Sequence, residues 1–264
     1  MAEPKIIIFD LEIIPNTTKA VEHWTRLNCS WDSSQTLKAE ITSICSFGWE
    51  IFGTKKPKVK NAWDYKGWDK DVNDDYELCL FAYETLKDAN AFVYQNGDRF
   101  DLKYLNTRFA IHGIPPLPPI PTIDTKKLIK KNYFLLSNSM SHAAKILLKD
   151  VEKMDHGEGW QLWIDTHNKV KKAMKLMAKY CKQDIVTTRE LFKQVRPFAK
   201  NIPNFNNFKD PGVNGERQCP SCGGTRIKAQ GWRHTKTQSY RRFRCLSCLA
   251  YCRGDKKENN LRSI

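Results

Sequence analysis

The sequence predicts an α/β fold, a mixed sheet flanked by helices, followed by a small module organised around cysteines. Three observations carry that expectation. Short β-branched or apolar runs mix with stretches of helical periodicity through the first 198 residues, the pattern of a sheet covered by helices. Residues 199–216 then turn rich in Pro, Gly and Asn, the composition of a linker. Beyond the linker stand two Cys-x-x-Cys pairs. The expected organisation is a main domain over 1–198, a linker over 199–216, a module over 217–252 and a polar, disordered tail over 253–264.

Taken in order, Lys5 to Glu12 reads as a buried strand, with β-branched residues leading into Asp10. Ile41 to Ile51 and Lys58 to Trp63 are further strand candidates. Ala91-Phe92-Val93-Tyr94 is a short apolar run halted by the turn signal Asn96-Gly97. From Asp101 to His112, Leu102, Leu105 and Phe109 recur at the spacing of one helix face, and Gly113 closes the helix. Pro115 to Pro121 holds five prolines and predicts an extended loop, with a short strand around Ile120 to Ile123. Ser141 to Leu148 reads as a short helix capped by Ser139 or Ser141. Thr166 to Val195 is helical for about 30 residues, expected as two helices meeting near Tyr180.

Charge bounds the function. The 264 residues carry 44 Lys+Arg against 29 Asp+Glu, a net +15, so a polyanion is the expected partner. The excess is uneven. Asn214 to Ile264 contains twelve basic and three acidic residues, which places +9 of the +15 in the last fifth of the chain. That basic end is expected to be a separate binding element. No stretch approaches the roughly 20 apolar residues of a membrane span, and the N-terminus lacks the apolar region of a signal peptide. No membrane association is expected, and a reducing, cytoplasmic compartment is. There, thiols serve as ligands or packing groups rather than disulfides. The scattered Cys29, Cys45, Cys79 and Cys181 are expected to pack.

The candidate chemistry lies in four carboxylates. Asp10 and Glu12, two apart on a strand, project to the same face. Side by side they need a cation when buried. Asp101 opens a helix after Asn96-Gly97-Asp98-Arg99-Phe100, where an acid also serves as a favourable helix-terminus charge. Tyr180 and Asp184 are four apart and share a helix face. Asp98, Asp124 and Asp165 read as surface charges or caps, and Trp160 and Trp163 as packing residues.

Together, Asp10-x-Glu12 near the N-terminus, Asn96-x-x-x-Phe100-Asp101 about 90 residues on, and Tyr180-x-x-x-Asp184 about 80 further resemble the three motifs of the DEDD 3′–5′ exonucleases. These belong to the ribonuclease H-like superfamily. The likeness is to the proofreading domain of family B DNA polymerases and covers roughly residues 4 to 198. Ile123-Asp124-Thr125 and Asn138-Ser139 fall where such domains carry a strand end and a helix start. Position 179 is Lys rather than the His of the histidine type, so the chain resembles the tyrosine branch. No polymerase domain follows in these 264 residues, so the resemblance is to a free-standing relative.

The resemblance implies that Asp10, Glu12, Asp101 and Asp184 hold two Mg²⁺ or Mn²⁺ ions roughly 4 Å apart. Tyr180 would orient a water for attack on the terminal phosphodiester, releasing a nucleoside 5′-monophosphate. Asn96 and Phe100 would contact the strand. The implied substrate is single-stranded or 3′-ended DNA, and replication or recombination proteins are the implied protein partners. An exoribonuclease shares the same acids. A non-catalytic nucleic-acid-binding protein is the alternative from another class.

Cys219-Pro-Ser-Cys222 and Cys245-Leu-Ser-Cys248, with 22 residues between them, predict one structural Zn²⁺ bound by four thiolates in a zinc ribbon. Cys252 and His234 are alternative ligands; the symmetrical spacing favours the four. So small a module lacks a core, and the metal would supply much of its folding energy. Arg226, Lys228, Arg233, Lys236, Arg241, Arg242 and Arg244 surround the knuckles, with Trp232, Tyr240 and Phe243 among them. Basic groups track phosphates and exposed aromatics stack on unpaired bases.

Overall fold

A computed structural model describes residues 4–14, 43–154, 157, 161–208 and 217–259. Five strands, β1 (Ile6–Ile14), β2 (Ser43–Ile51), β3 (Lys58–Asn61), β4 (Ala91–Tyr94) and β5 (Thr122–Asp124), form one sheet in the order β3-β2-β1-β4-β5. The first three run antiparallel to their neighbours, while β4 and β5 join parallel to β1. This is the mixed α/β sheet expected. Helices α1 (Lys66–Lys70), α2 (Tyr76–Leu86) and α3 (Asp101–His112) pack on one face. On the other lie α4 (Thr125–Asn132), α5 (Met140–Leu147), α6 (Gln161–His167) and α7 (Lys171–Val195).

The central strand explains both layers. Ile7, Phe9 and Leu11 of β1 enter the core beneath α2 and α3, whereas Ile6 and Ile8 enter the core beneath α7. A strand covered on both faces reads as an unbroken apolar run, and each such side chain contributes about 1.5–3 kcal/mol by burial. Asp10 and Glu12 continue the even-numbered series. The same face that holds apolar contacts at its start therefore presents acids under α7 at its end.

The structure departs from expectation in the long helix. Lys171 to Val195 is one helix of 25 residues, continuous through Tyr180. The break falls at 168–170, before α7, where Lys169 has φ +61. Met177, Tyr180, Cys181 and Asp184 are all buried, and their spacing keeps one inward stripe that a break at Tyr180 would have divided.

The second sheet comprises β6 (Ile227–His234), β7 (Gln238–Cys245) and β8 (Tyr251–Asn259), antiparallel in that order. The disordered tail expected from residue 253 is corrected: β8 runs on to Asn259 by pairing with β7. Backbone hydrogen bonding to an existing edge does not require apolar side chains. Residues 260–264 lie outside the described ones. The start of the expected linker is packed. Phe205 is buried beside α7, its N–H donates to the Pro220 carbonyl at 2.7 Å, and the Arg196 guanidinium lies over Phe52 and Phe205 while donating to the Ser221 carbonyl. Residues 209–216 lie outside the described ones. Among the described residues no helix is long and apolar enough to cross a membrane.

Candidate active site

The parallel pairing of β1 with β4 spans Ile6↔Ala91 to Ile8↔Val93, so Asp10 and Glu12 lie beyond its last rung. A cleft of about 270 Å³ opens there, and Asp10, Glu12, Asn96, Phe100, Asp101, Tyr180 and Asp184 all line it. All seven residues that the sequence singled out for this chemistry thus meet in one place.

Each arrives by a local cause. Asp10 sits opposite Gly48 of β2. A Cβ on Gly48 would stand 2.8 Å from the Cys181 sulfur and 2.9 Å from Ile185 Cγ1, so this glycine lets α7 lie close enough to bring Asp184 over the strand. Asp101, the first residue of α3, is buried and accepts the Leu11 N–H at 3.1 Å. That bond ties the helix terminus to the strand between the two acids.

The turn before Asp101 is built differently from its Asn-Gly signature. Asn96, not Gly97, takes the left-handed conformation, with φ +71, which Asn tolerates better than most residues. Its N–H donates to Asp124 Oδ1 at 3.0 Å, and its carbonyl accepts from Arg99 and Phe100 at 3.1 and 3.2 Å. Asp124 is therefore a buried cap that also receives the Lys126 and Lys127 N–H groups of α4. Asp98 accepts from the Tyr94 hydroxyl and, at 2.5 Å, from Lys127 Nζ. Phe100 rests against Tyr104.

Sequence reasoning missed Lys153. Its Nζ donates to Asp184 Oδ2 at 2.9 Å and lies 4.8 Å from the centre of the Tyr180 ring, which Trp163 meets edge-on at 5.9 Å. Lys153 lies in a segment without regular structure, outside any periodic pattern, so only its charge marked it. Trp160 lies outside the described residues.

The electrostatics follow from burial. Burial and then the charges of Asp101, Asp184 and Glu12 push Asp10 well above the ordinary carboxylate range. Burial and Asp184 do the same to Glu12. Asp101 is raised to about 7, chiefly by burial. Tyr180 is pushed to about 12 by burial and by Asp184. For Lys153, burial opposes the charge, but Asp184 and Tyr180 outweigh it and hold the ammonium. Among the described residues the cleft sets two ammonium groups, Lys153 and Lys126, against four carboxylates, and a set of hard oxygen donors with that charge deficit could hold a divalent cation. Cys181 also reaches Asp10 and Glu12, but burial pushes its thiol up and it serves as packing. A second acidic group, Asp75 with Cys79 and His112, is already filled by the Arg108 guanidinium and the Ile44 N–H.

The four knuckle thiols also converge. Cys219 and Cys248 sulfurs lie 3.7 Å apart, as do those of Cys222 and Cys245. A Zn–S bond of about 2.3 Å gives tetrahedral edges of ~3.8 Å, so the cluster is compatible with a zinc ribbon. The Gly224 and Ser247 N–H groups each donate to a cluster sulfur at 3.4 Å. Cys252 stands outside the group, and His234 is engaged with Ser239.

Residues 36–196 match the RNase_H_2 family, described as belonging to the RNase_H superfamily. Among solved structures, the family B DNA polymerase from the hyperthermophilic archaeon Pyrobaculum calidifontis is similar over 75% of this chain and 25% of that one, with 17% identity and a TM-score of 0.49. The chain thus spans about a quarter of that polymerase's length. No curated protein matches.

Proposed function

The chain belongs to the RNase_H superfamily, and we propose that it is a metal-dependent 3′–5′ exonuclease of the tyrosine-type DEDD branch, acting on DNA. The observation that carries the reading is the meeting of Asp10 and Glu12 from β1, Asp101 from α3, and Tyr180 with Asp184 from α7 in one cleft. Asp10, Glu12, Asp101 and Asp184 would hold two divalent cations, which supply Lewis acidity toward the phosphodiester and activate a water.

The chain's own groups do the rest. With its phenol raised to about 12, Tyr180 remains protonated at neutral pH and donates a hydrogen bond rather than acting as a base. Lys153, held against Asp184 and Tyr180, offsets negative charge and fixes both side chains. Asn96 and Phe100 on the rim place the terminal nucleotide. Water oxygen bonds to phosphorus, the bond to the 3′ oxygen breaks, and a nucleoside 5′-monophosphate leaves a strand with a new 3′ hydroxyl.

In the second sheet, Arg242 and Arg244 lie 5.4 and 5.7 Å from the Tyr251 ring, and Arg253 lies 4.2 Å from that of Tyr240. This basic sheet, folded around one Zn²⁺, would hold the substrate strand by its phosphates. Product analysis on matched DNA and RNA oligonucleotides tests the reading. Nucleoside 5′-monophosphates released from DNA only with Mg²⁺ or Mn²⁺ support it. Faster release from RNA would reassign the substrate, and no release from either would reject catalysis.

A further inference from the structure

Between α4 and α5 the chain carries an extended segment whose side chains alternate. Tyr133 and Leu135 turn inward and pack on the core beneath α7, while Phe134 and Leu136 point outward, 97% and 92% exposed. Alternation of this kind places polar residues outward on an ordinary surface segment; here both outward positions are large and apolar. Isolated exposed apolar residues are common, but these two are neighbours held by inward anchors, the first of which also meets Phe198 edge-on at 5.8 Å.

Their position gives them a use. The segment runs directly into Asn138, Ser139 and Met140, which form one wall of the acidic cleft. It is tied there, since Gln95 Nε2, also on the cleft, donates to the Asn138 carbonyl at 3.4 Å, and Ser139 caps α5. On its other side lies α4, which carries Lys126, Lys127, Lys130 and Lys131 and no acid. Lys126 lines the cleft, and Lys130 and Lys131 are exposed. A segment that leads into the cleft wall with two bare apolar side chains, beside a helix carrying the exposed Lys130 and Lys131, suits a chain with phosphates on one edge and unpaired bases on the other. Lys127 is held by Asp98, and a protein partner that found the apolar pair would have no need of the exposed Lys130 and Lys131 beside it.

The geometry points to Phe134 and Leu136 as a stacking platform for the unpaired bases that immediately precede the cleaved 3′ nucleotide. The inference rests on the nuclease reading above. Bases held in a duplex keep their faces against each other and cannot use the platform.

The test compares wild type with F134A/L136A on two substrates in Mn²⁺: the p-nitrophenyl ester of thymidine 5′-monophosphate, which has no preceding base, and a single-stranded decanucleotide. Both positions are exposed, so an unchanged melting curve is expected. The ester should be hydrolysed equally by both proteins. For the decanucleotide, KM should rise about tenfold or more in the double variant while kcat changes little. A 2-aminopurine placed next to the 3′ terminal nucleotide, bound in Ca²⁺, should show a stacking-dependent fluorescence change with wild type that the variant loses. Unchanged KM together with an unchanged 2-aminopurine signal would overturn the platform and leave the pair as a protein contact. A wild type inactive on both substrates would instead reject the nuclease reading, and the platform with it.

Discussion

The ammonium of Lys153 lies 2.9 Å from Oδ2 of Asp184, the only motif acid contributed by α7, across 31 residues of chain. Both groups are largely shielded from water, with side-chain exposures of 24% and 4%. Such a pair holds a carboxylate in place, and it costs more to break than its formation contributes. It also sets a positive charge beside the acids proposed to hold cations.

Lys153→Met should therefore destabilise the metal-free protein by about 3 kcal/mol or less, because Asp184 is left among other acids. The stabilisation supplied by Mn²⁺ should grow correspondingly. Melting temperatures in EDTA and in Mn²⁺ check this; an increment equal to that of wild type would contradict it.

The pH dependence of stability has a definite sign. Asp10, Glu12 and Asp101 titrate higher folded than unfolded, Asp101 at about 7. Between the ordinary carboxylate range and those raised values the folded state binds more protons, so its stability falls as pH rises. In EDTA, melting temperature should drop from pH 5 to pH 8. Bound divalent ions replace the protons, so Mg²⁺ or Mn²⁺ should raise it more at pH 8 than at pH 5. Equal increments at both would contradict the reading.

Gly48→Ala should reach the acids through packing. The added methyl meets Cys181 and Ile185, pushing α7 from the sheet at a cost of about 1–3 kcal/mol and displacing Asp184. A fall in kcat with little change in oligonucleotide binding is expected. Adding Cys181→Ala should restore part of both losses in a double-mutant cycle, and strict additivity would contradict the contact.

One zinc per chain is expected by metal analysis. Cys222→Ser should abolish it and unfold the second sheet while the five-stranded sheet keeps its melting transition. Oligonucleotide binding should then weaken and show a shallower dependence on salt. An unchanged salt slope would place the phosphate contacts elsewhere.

Much of the acidic site was legible in the sequence because its residues sit on regular elements. Ile6, Ile8, Asp10 and Glu12 share a strand face, and Tyr180 and Asp184 a helix stripe, so periodicity aligned each pair, while the joining of the three segments into one site came from the resemblance to the exonuclease motifs. Lys153 was not legible: it comes from an irregular segment, and its partner is fixed only by tertiary packing. Asp75 likewise disclosed nothing until α2 and α3 brought Arg108 and His112 to it. The continuity of α7 through Tyr180 escaped because local spacing does not say where a long helix must stay whole to cover a sheet. The strand β8 escaped because its polar composition resembles a free tail, and its order is supplied by the neighbouring edge of β7. In the turn before Asp101 the Asn-Gly signature marked the right place, but Asp124 decided which residue took the unusual conformation.

The central claim is that the acids of one cleft remove nucleotides from a 3′ end, and one measurement tests it most directly. A 5′-labelled single strand is followed by gel with wild type and with Asp101→Ala, in Mg²⁺ and in EDTA. Wild type with Mg²⁺ should give a ladder shortening from the 3′ end, silent in EDTA and absent in the variant, whose fold is retained. A ladder of equal intensity from Asp101→Ala, or one that persists in EDTA, would contradict it.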